Sequence, residues 1–176
     1  MQTHSEPHST STFRKGLWWK ILISSIVILV LGFLSGVSTA DSIPNWYVTL
    51  NKPFFTPPNW LFGPAWTVIY ILMGISFGRI WQVVAKSRYP IVQKFARQGL
   101  WLFVVQFFLN LIWTPVFFGM QSPGVALFII IPLAILILLV IRHFFRLDRM
   151  AAFVLIPYLV WVTFASFLNL GIYVLN

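Results

Sequence analysis

The sequence predicts an all-α integral membrane protein, a five-transmembrane-helix bundle with a structured Pro- and aromatic-rich first outer loop. Three observations lead there. Of the 176 residues, 59% are hydrophobic and only 9% charged, against about 45–50% and about 25% in soluble domains. That is too little charge to coat a water-exposed surface. Long runs of the chain carry no charge at all, and about 20 apolar residues suffice to cross about 30 Å of hydrocarbon. The twelve basic residues fall between those runs, so the net charge of +9 reads as a topology signal and not as a nucleic-acid surface. There is no cysteine, which excludes disulfides, thiolate nucleophiles and Cys-ligated metals.

Residues 1–16, rich in Ser, Thr and His, read as a disordered cytoplasmic tail, and 17–176 as the membrane domain. The first helix is expected over 17–40, around the uncharged run Ile21 to Ala40, which is preceded by Arg14, Lys15 and Lys20 and closed by Asp41. Val37-Ser38-Thr39-Ala40 resembles a signal-peptide cleavage site, but the apolar stretch exceeds the usual segment of about 7–15 residues. A retained span is therefore expected. The second helix is placed at 62–84, after a Pro-rich approach; Pro64 suits a first turn because its missing N–H has no intrahelical partner to lose. From 98 to 141 there are 44 uncharged residues, enough for two helices, at 97–118 and 124–142, broken at the Gly/Pro punctuation of Gly119-Met-Gln-Ser-Pro-Gly124. The fifth helix is expected at 150–175.

Loop charges support five crossings. Arg14, Lys15, Lys20, Arg79, Lys86, Arg88, Lys94, Arg97, Arg142, Arg146 and Arg149 fall on one side and only Lys52 on the other. By the positive-inside rule the N-terminus is cytoplasmic and the C-terminus external. Four or six crossings would lose the asymmetry.

No ionisable residue is expected within the spans, where such groups usually mark ion paths and proton relays. His4 and His8 lie in the tail, and His143 is placed in a basic loop. No triad and no metal-ligand cluster emerges, so a conventional enzyme is not expected. Uncharged polar residues do occur in the spans: Gln106, Asn110, Thr114, Thr163 and Asn169. Gln106, Asn110, Trp113 and Phe117 share one helix face, as interhelical hydrogen-bonding glue or as donors and acceptors in a pocket. Trp18, Trp19, Trp46, Trp81 and Trp101 lie near helix ends, as in an interfacial belt. Trp66, Trp113 and Trp161 lie deeper on three different helices and suggest an aromatic-walled cavity, which kinks at Pro115, Pro132 and Pro157 would help open. Ala165, one turn from Trp161, leaves room for close packing or for a flat ligand. The loop from Pro44 to Trp60 holds four prolines and five aromatics; it reads as a rigid cap.

These residues resemble a known family. Trp46-Tyr47-x-x-Leu50-x-Lys52-Pro53, then Pro57-Pro58-x-Trp60-x-Phe62-Gly63-Pro64-x-Trp66-Thr67-x-x-Tyr70, is similar to the signature of the translocator protein family, whose bacterial-type members are the tryptophan-rich sensory (TspO/MBR) proteins. The likeness continues through Gln106-x-x-x-Asn110-x-x-Trp113-x-Pro115-x-Phe117-Phe118-Gly119 and Pro157-Tyr158-Leu159-x-Trp161-x-x-x-Ala165-x-x-Leu168-Asn169.

The resemblance implies a five-helix homodimer, in a bacterial inner (cell) membrane, that senses or regulates tetrapyrroles or stress. No cofactor would be required. Protoporphyrin IX or haem would be the ligand, in a cavity mapping onto Tyr47, Trp66, Asn110, Trp113, Trp161 and Ala165. It also implies two alternatives. One is light-dependent porphyrin degradation using Trp66 and Trp161. The other is porphyrin transport, for which the pocket offers no cation against propionates beyond Lys52 at the rim. The cholesterol motif of animal members needs a basic residue after its tyrosine; Leu170 stands where that tyrosine would be and nothing basic follows Tyr173. Cholesterol is therefore not an expected partner.

Overall fold

A computed structural model describes residues 16–176; the expectation of a disordered tail lies outside the described residues. Five helices are long and apolar enough to cross a membrane, and no strand occurs among the described residues. The spanning helices are α1 (Leu17–Val37), α2 (Phe62–Lys86), α3 (Pro90–Thr114), α4 (Pro123–Phe145) and α5 (Ile156–Leu175). α1 packs chiefly along α2, α2 along α3, α3 along α4, and α4 along α5.

The boundaries differ from expectation in informative places. α3 begins at Pro90 and not near 97, because Lys94 and Arg97 end the apolar run without ending the helix. Tyr89 is extended, φ −98° and ψ 115°, as a residue before proline must be, and Pro90 then opens the helix. α4 runs to Phe145, so His143 lies on a helix and not in a loop. Its ring stacks on Phe95 at 3.7 Å, and its Nε2 lies 2.8 Å from the Phe95 carbonyl, which can only accept. α1 ends at Val37, and the chain turns into a short helix, Ser42–Asn45. The last span is interrupted: a short helix, Arg149–Phe153, precedes α5. Pro157 therefore sits in the first turn of α5 and initiates that helix without kinking it. Pro115 opens a π-helical turn, Pro115–Gly119, closed by Met120 N donating to Pro115 O at 2.8 Å. Such a turn widens the backbone and re-aims the side chains that follow.

Small residues bring helices close in lipid, where no hydrophobic force drives helix against helix. A Cβ added at Gly74 would enter the backbone of Ser25, and one at Gly78 would come within 2.7 Å of Ile21. The Gly74-x-x-x-Gly78 pattern is thus used within one chain, between α1 and α2. The shared polar face of α3 is buried as expected, with Gln106 and Asn110 each 1% exposed. Tyr158 donates to Gln106 Oε1 at 2.8 Å, and Tyr70 donates to Asn110 Oδ1 at 3.2 Å. Trp113 Nε1 donates to Asn169 Oδ1 at 3.2 Å, and Asn169 Nδ2 donates to Pro123 O at 2.8 Å.

At the end opposite the loop, the expectation of charge-free spans is corrected. Lys20 lies in the first turn of α1, buried, donating to Gln82 Oε1 at 2.6 Å between Trp19 and Trp81. Arg79 lies on α2 and pairs with Asp148 at 2.8 Å. Asp148 also accepts from Ala151 N at 3.1 Å, capping the short helix there. Both cations are tolerated because each has a partner within the protein. Trp46 departs from the belt expectation too: it packs edge-on against Phe117 at 5.7 Å, while Trp18 and Trp101 stand exposed.

Candidate functional site

The first loop is held as a cap through Tyr47, Asn51, Lys52 and Pro53, while Val48, Phe54 and Trp60 stand exposed. Lys52 Nζ donates to the carbonyls of Tyr47 (2.8 Å), Leu50 (3.0 Å) and Val48 (3.2 Å), and lies 5.0 Å from the Tyr47 ring centroid. The cation expected at the rim is thus turned onto its own loop. Asn51 N donates to Asn176 Oδ1, and Asn176 Nδ2 donates back to Asn51 O, both at 3.0 Å, pinning the cap to the end of α5. Pro53 rests against Gly171, where a Cβ would not fit. Tyr47, 2% exposed, points beneath this roof. Burial pushes its phenol up to about 12, so it remains protonated at physiological pH.

Under the cap lies a cavity of about 570 Å³, walled by α1, α2 and α3, within the range of about 300–1,000 Å³ of ordinary small-molecule sites. Trp66 stacks on Tyr70 (centroids 5.4 Å, interplanar angle 27°) and lies 6.4 Å from Trp113. Trp113 in turn stacks on Phe117 at 5.5 Å, held by the π-turn that follows it. The walls are apolar, with polar groups at few points: Tyr47, Asn59, Thr39, Thr67 and Thr114.

Of the expected site residues, Tyr47, Trp66 and Trp113 line this cavity. Asn110 stands behind Tyr70, which does line it and donates to Asn110. Trp161 and Ala165 lie outside it: Trp161 lines no part of the cavity, its ring meeting that of Phe62 at 6.0 Å, and Ala165 sits beyond Tyr47, Phe62, Trp113 and Phe118, which border both this cavity and the next. Ala165 lines a second chamber of only about 20 Å³, bounded also by Tyr47, Phe62, Trp113, Phe117, Phe118, Leu168 and Asn169. Tyr47 Oη, Asn110 Nδ2 and Trp161 Nε1 are buried without a hydrogen-bond partner among the described residues. These three groups, each able to donate, surround the aromatic walls.

Sequence reasoning missed the α1 wall (Leu29, Val30, Gly32, Phe33, Gly36 and Val37). Nothing distinguishes these apolar residues from lipid-facing ones. The Gly32-x-x-x-Gly36 spacing was the available signal: Gly32 receives the ring of Tyr70, where a Cβ would clash, and Gly36 borders open space.

Fold and site together define a polytopic membrane protein with an aromatic-walled cavity closed by a pinned loop. The sequence model of the TspO/MBR family matches residues 24–175, and the chain belongs to that family. It is similar to the tryptophan-rich protein TspO of Archaeoglobus fulgidus, 40% identical over 164 residues, which cover 89% of this chain and 97% of that one. It is similar as well to a tryptophan-rich sensory protein of Cereibacter sphaeroides, 36% identical over 124 residues, covering 70% and 72%. The translocator protein of Homo sapiens is 32% identical over 124 residues, covering 70% of each chain.

Proposed function

We propose that this protein is a membrane sensory or translocator-type binding protein for planar tetrapyrroles, protoporphyrin IX or a haem-like ligand, in the cavity beneath the first loop. The observation that carries this reading is the pair Trp66 and Trp113 on facing helices in one apolar cavity. A flat macrocycle stacks on indoles, each such pair adding about 0.5–1.5 kcal/mol beyond area burial. The unpartnered donor at Tyr47 suits a carbonyl or carboxylate edge, since a buried donor left unmatched costs about 1–3 kcal/mol that a ligand acceptor would recover. The sensory and translocator names of the relatives support the role. Binding is favoured over light-driven degradation, because of the two tryptophans that degradation would use only Trp66 lines the cavity.

The protein is an integral membrane protein. We place it in a bacterial inner membrane, N-terminus cytoplasmic and C-terminus external, as a homodimer whose interface leaves the α1–α2 glycine contacts to the single chain. Reporter fusions at Asn176 and in the 86–97 loop will fall on opposite sides if this holds, and on one side if the topology is wrong.

The binding test is a quenching titration of tryptophan fluorescence with protoporphyrin IX in lipid nanodiscs. Saturable binding at one site per chain is expected, weakened about tenfold or more in the Trp66→Ala/Trp113→Ala double variant, consistent with two lost stacking contacts. Non-saturating partition into the disc, identical in parent and variant, would overturn the reading.

A further inference from the structure

We propose that the cavity is loaded sideways from the bilayer, through an opening between α1 and α2 in the leaflet nearest the first loop; this rests on the binding reading above for what passes, but the opening is tested independently of it. The two helices form a V. At the end away from the loop they touch backbone to backbone, at Gly74 against Ser25 and at Gly78 against Ile21. Toward the loop they part: a Cβ added at Gly36 on α1 or at Gly63 on α2 would meet nothing within 4 Å. Where the V closes, the Tyr70 ring fills the place of a Gly32 side chain and forms the floor of the opening.

The rim residues are both cavity-lining and exposed. Gly36, Gly63 and Thr67 border the cavity and face outward, as do Val30, Phe33 and Val37, which are 49%, 66% and 53% exposed. The depth is right for lipid. α1 has 21 residues, about 31 Å at 1.5 Å per residue, so it matches the hydrocarbon thickness of about 30 Å. Residues 30–37 occupy its last third and lie at acyl-chain depth, with an opening about 10 Å tall by the same rise.

The rim offers lipid no unsatisfied group. Thr67 is its one polar side chain, and that hydroxyl donates back to Gly63 O at 2.9 Å. The roof, by contrast, is shut: Lys52 bonds three carbonyls beneath it, the Asn51–Asn176 pair ties it to α5, and Pro53 sits on Gly171. A hydrophobic planar molecule already dissolved in the membrane thus has an open route at the side and a closed one above.

The test follows protoporphyrin IX, predissolved in vesicles, by stopped-flow quenching of tryptophan. Gly36→Phe and Gly63→Phe narrow the opening where an added side chain meets open space, and melting curves verify the fold. Both association and dissociation should slow by a common factor of tenfold or more, since a narrowed passage raises the barrier in each direction. Cross-linking the roof through Asn51→Cys/Asn176→Cys, in a chain with no cysteine of its own, should leave both rates near the parent's. Unchanged rates in the glycine variants, or slowing by the roof cross-link alone, would overturn the proposal.

A phospholipid carrying a photoreactive group in its acyl chain supplies the independent readout. It should label Trp66 or Tyr70, inside the cavity, in the parent and not in the narrowed variants, whereas Val68, 55% exposed on the outside of α2, is labelled in all of them. Absence of the label inside the cavity in the parent refutes the opening. Failure of protoporphyrin to bind while the label appears refutes only the ligand assignment.

Discussion

Replacing Lys52 with Met should loosen the roof without disturbing the bundle. The ammonium gathers three backbone carbonyls within 3.2 Å, and Met keeps the apolar stem while removing every donor. A hydrogen bond to a charged group contributes about 1.5–3 kcal/mol net, and a neutral one about 0.5–1.5. The three bonds share one partly exposed charge and are not additive, so we take about 2–3 kcal/mol for the local opening of residues 47–52. At about 1.4 kcal/mol per tenfold, amide protection in that segment should fall roughly 30- to 140-fold. Hydrogen exchange read by mass spectrometry on the peptide spanning 46–52, in nanodiscs, measures this directly. Peptides from α3 and α4 serve as controls and should not change. Equal protection in parent and variant would show that the three carbonyl contacts do not hold the loop, and the account of the cap would fall with them.

Three further outcomes follow from the packing. Gly74→Val should destabilise the fold by about 1–3 kcal/mol or more, as overpacking does, because the new side chain enters the Ser25 backbone; Gly36→Ala should stay within about 0.5 kcal/mol, and thermal melts in one detergent compare the two. Tyr158→Phe leaves Gln106 Oε1 buried without its donor, at a cost of about 1–2 kcal/mol within the range for interhelical bonds in lipid; adding Gln106→Leu should recover part of that loss, and no recovery would argue against the pairing. Tyr47 supplies a pH signature. Burial raises its phenol from 10.0 to about 12, so between those values the folded state holds a proton that the unfolded state has released, and stability falls as pH rises through that window. The parent's melting temperature should drop more steeply from pH 10 to 12 than that of Tyr47→Phe, and the two slopes should match below pH 10.

The helix count was legible because charge-free runs and basic gaps alternate along the chain, a pattern fixed by the hydrocarbon thickness. Helix ends were less legible. Lys94 and Arg97 mark where the membrane ends, not where hydrogen bonding does, so α3 extends back to Pro90. Pro157 reads identically as a kink or as a first-turn residue until the break at 154–155 is seen. The cavity was half legible. Tyr47, Trp66 and Trp113 stand out as aromatics at the loop end of three segments, and the face holding Gln106 and Asn110 follows from helical periodicity. The α1 wall could not be read, since Leu29, Val30, Phe33 and Val37 carry the same chemistry toward a ligand as toward lipid. That Tyr47, Phe62, Trp113 and Phe118 stand between Ala165 and the main cavity, and that Trp161 lines no part of it, depends on how α5 meets the loop, α2 and α3, a tertiary fact.

The most direct test is an experimental structure of the protein in lipid with protoporphyrin IX at saturation. The macrocycle is expected between α1, α2 and α3, its plane against the Trp66 and Trp113 indoles, with a polar edge within hydrogen-bonding distance of Tyr47 Oη. A macrocycle bound on the outer surface of the bundle, with the cavity beneath the loop unfilled, would contradict that placement.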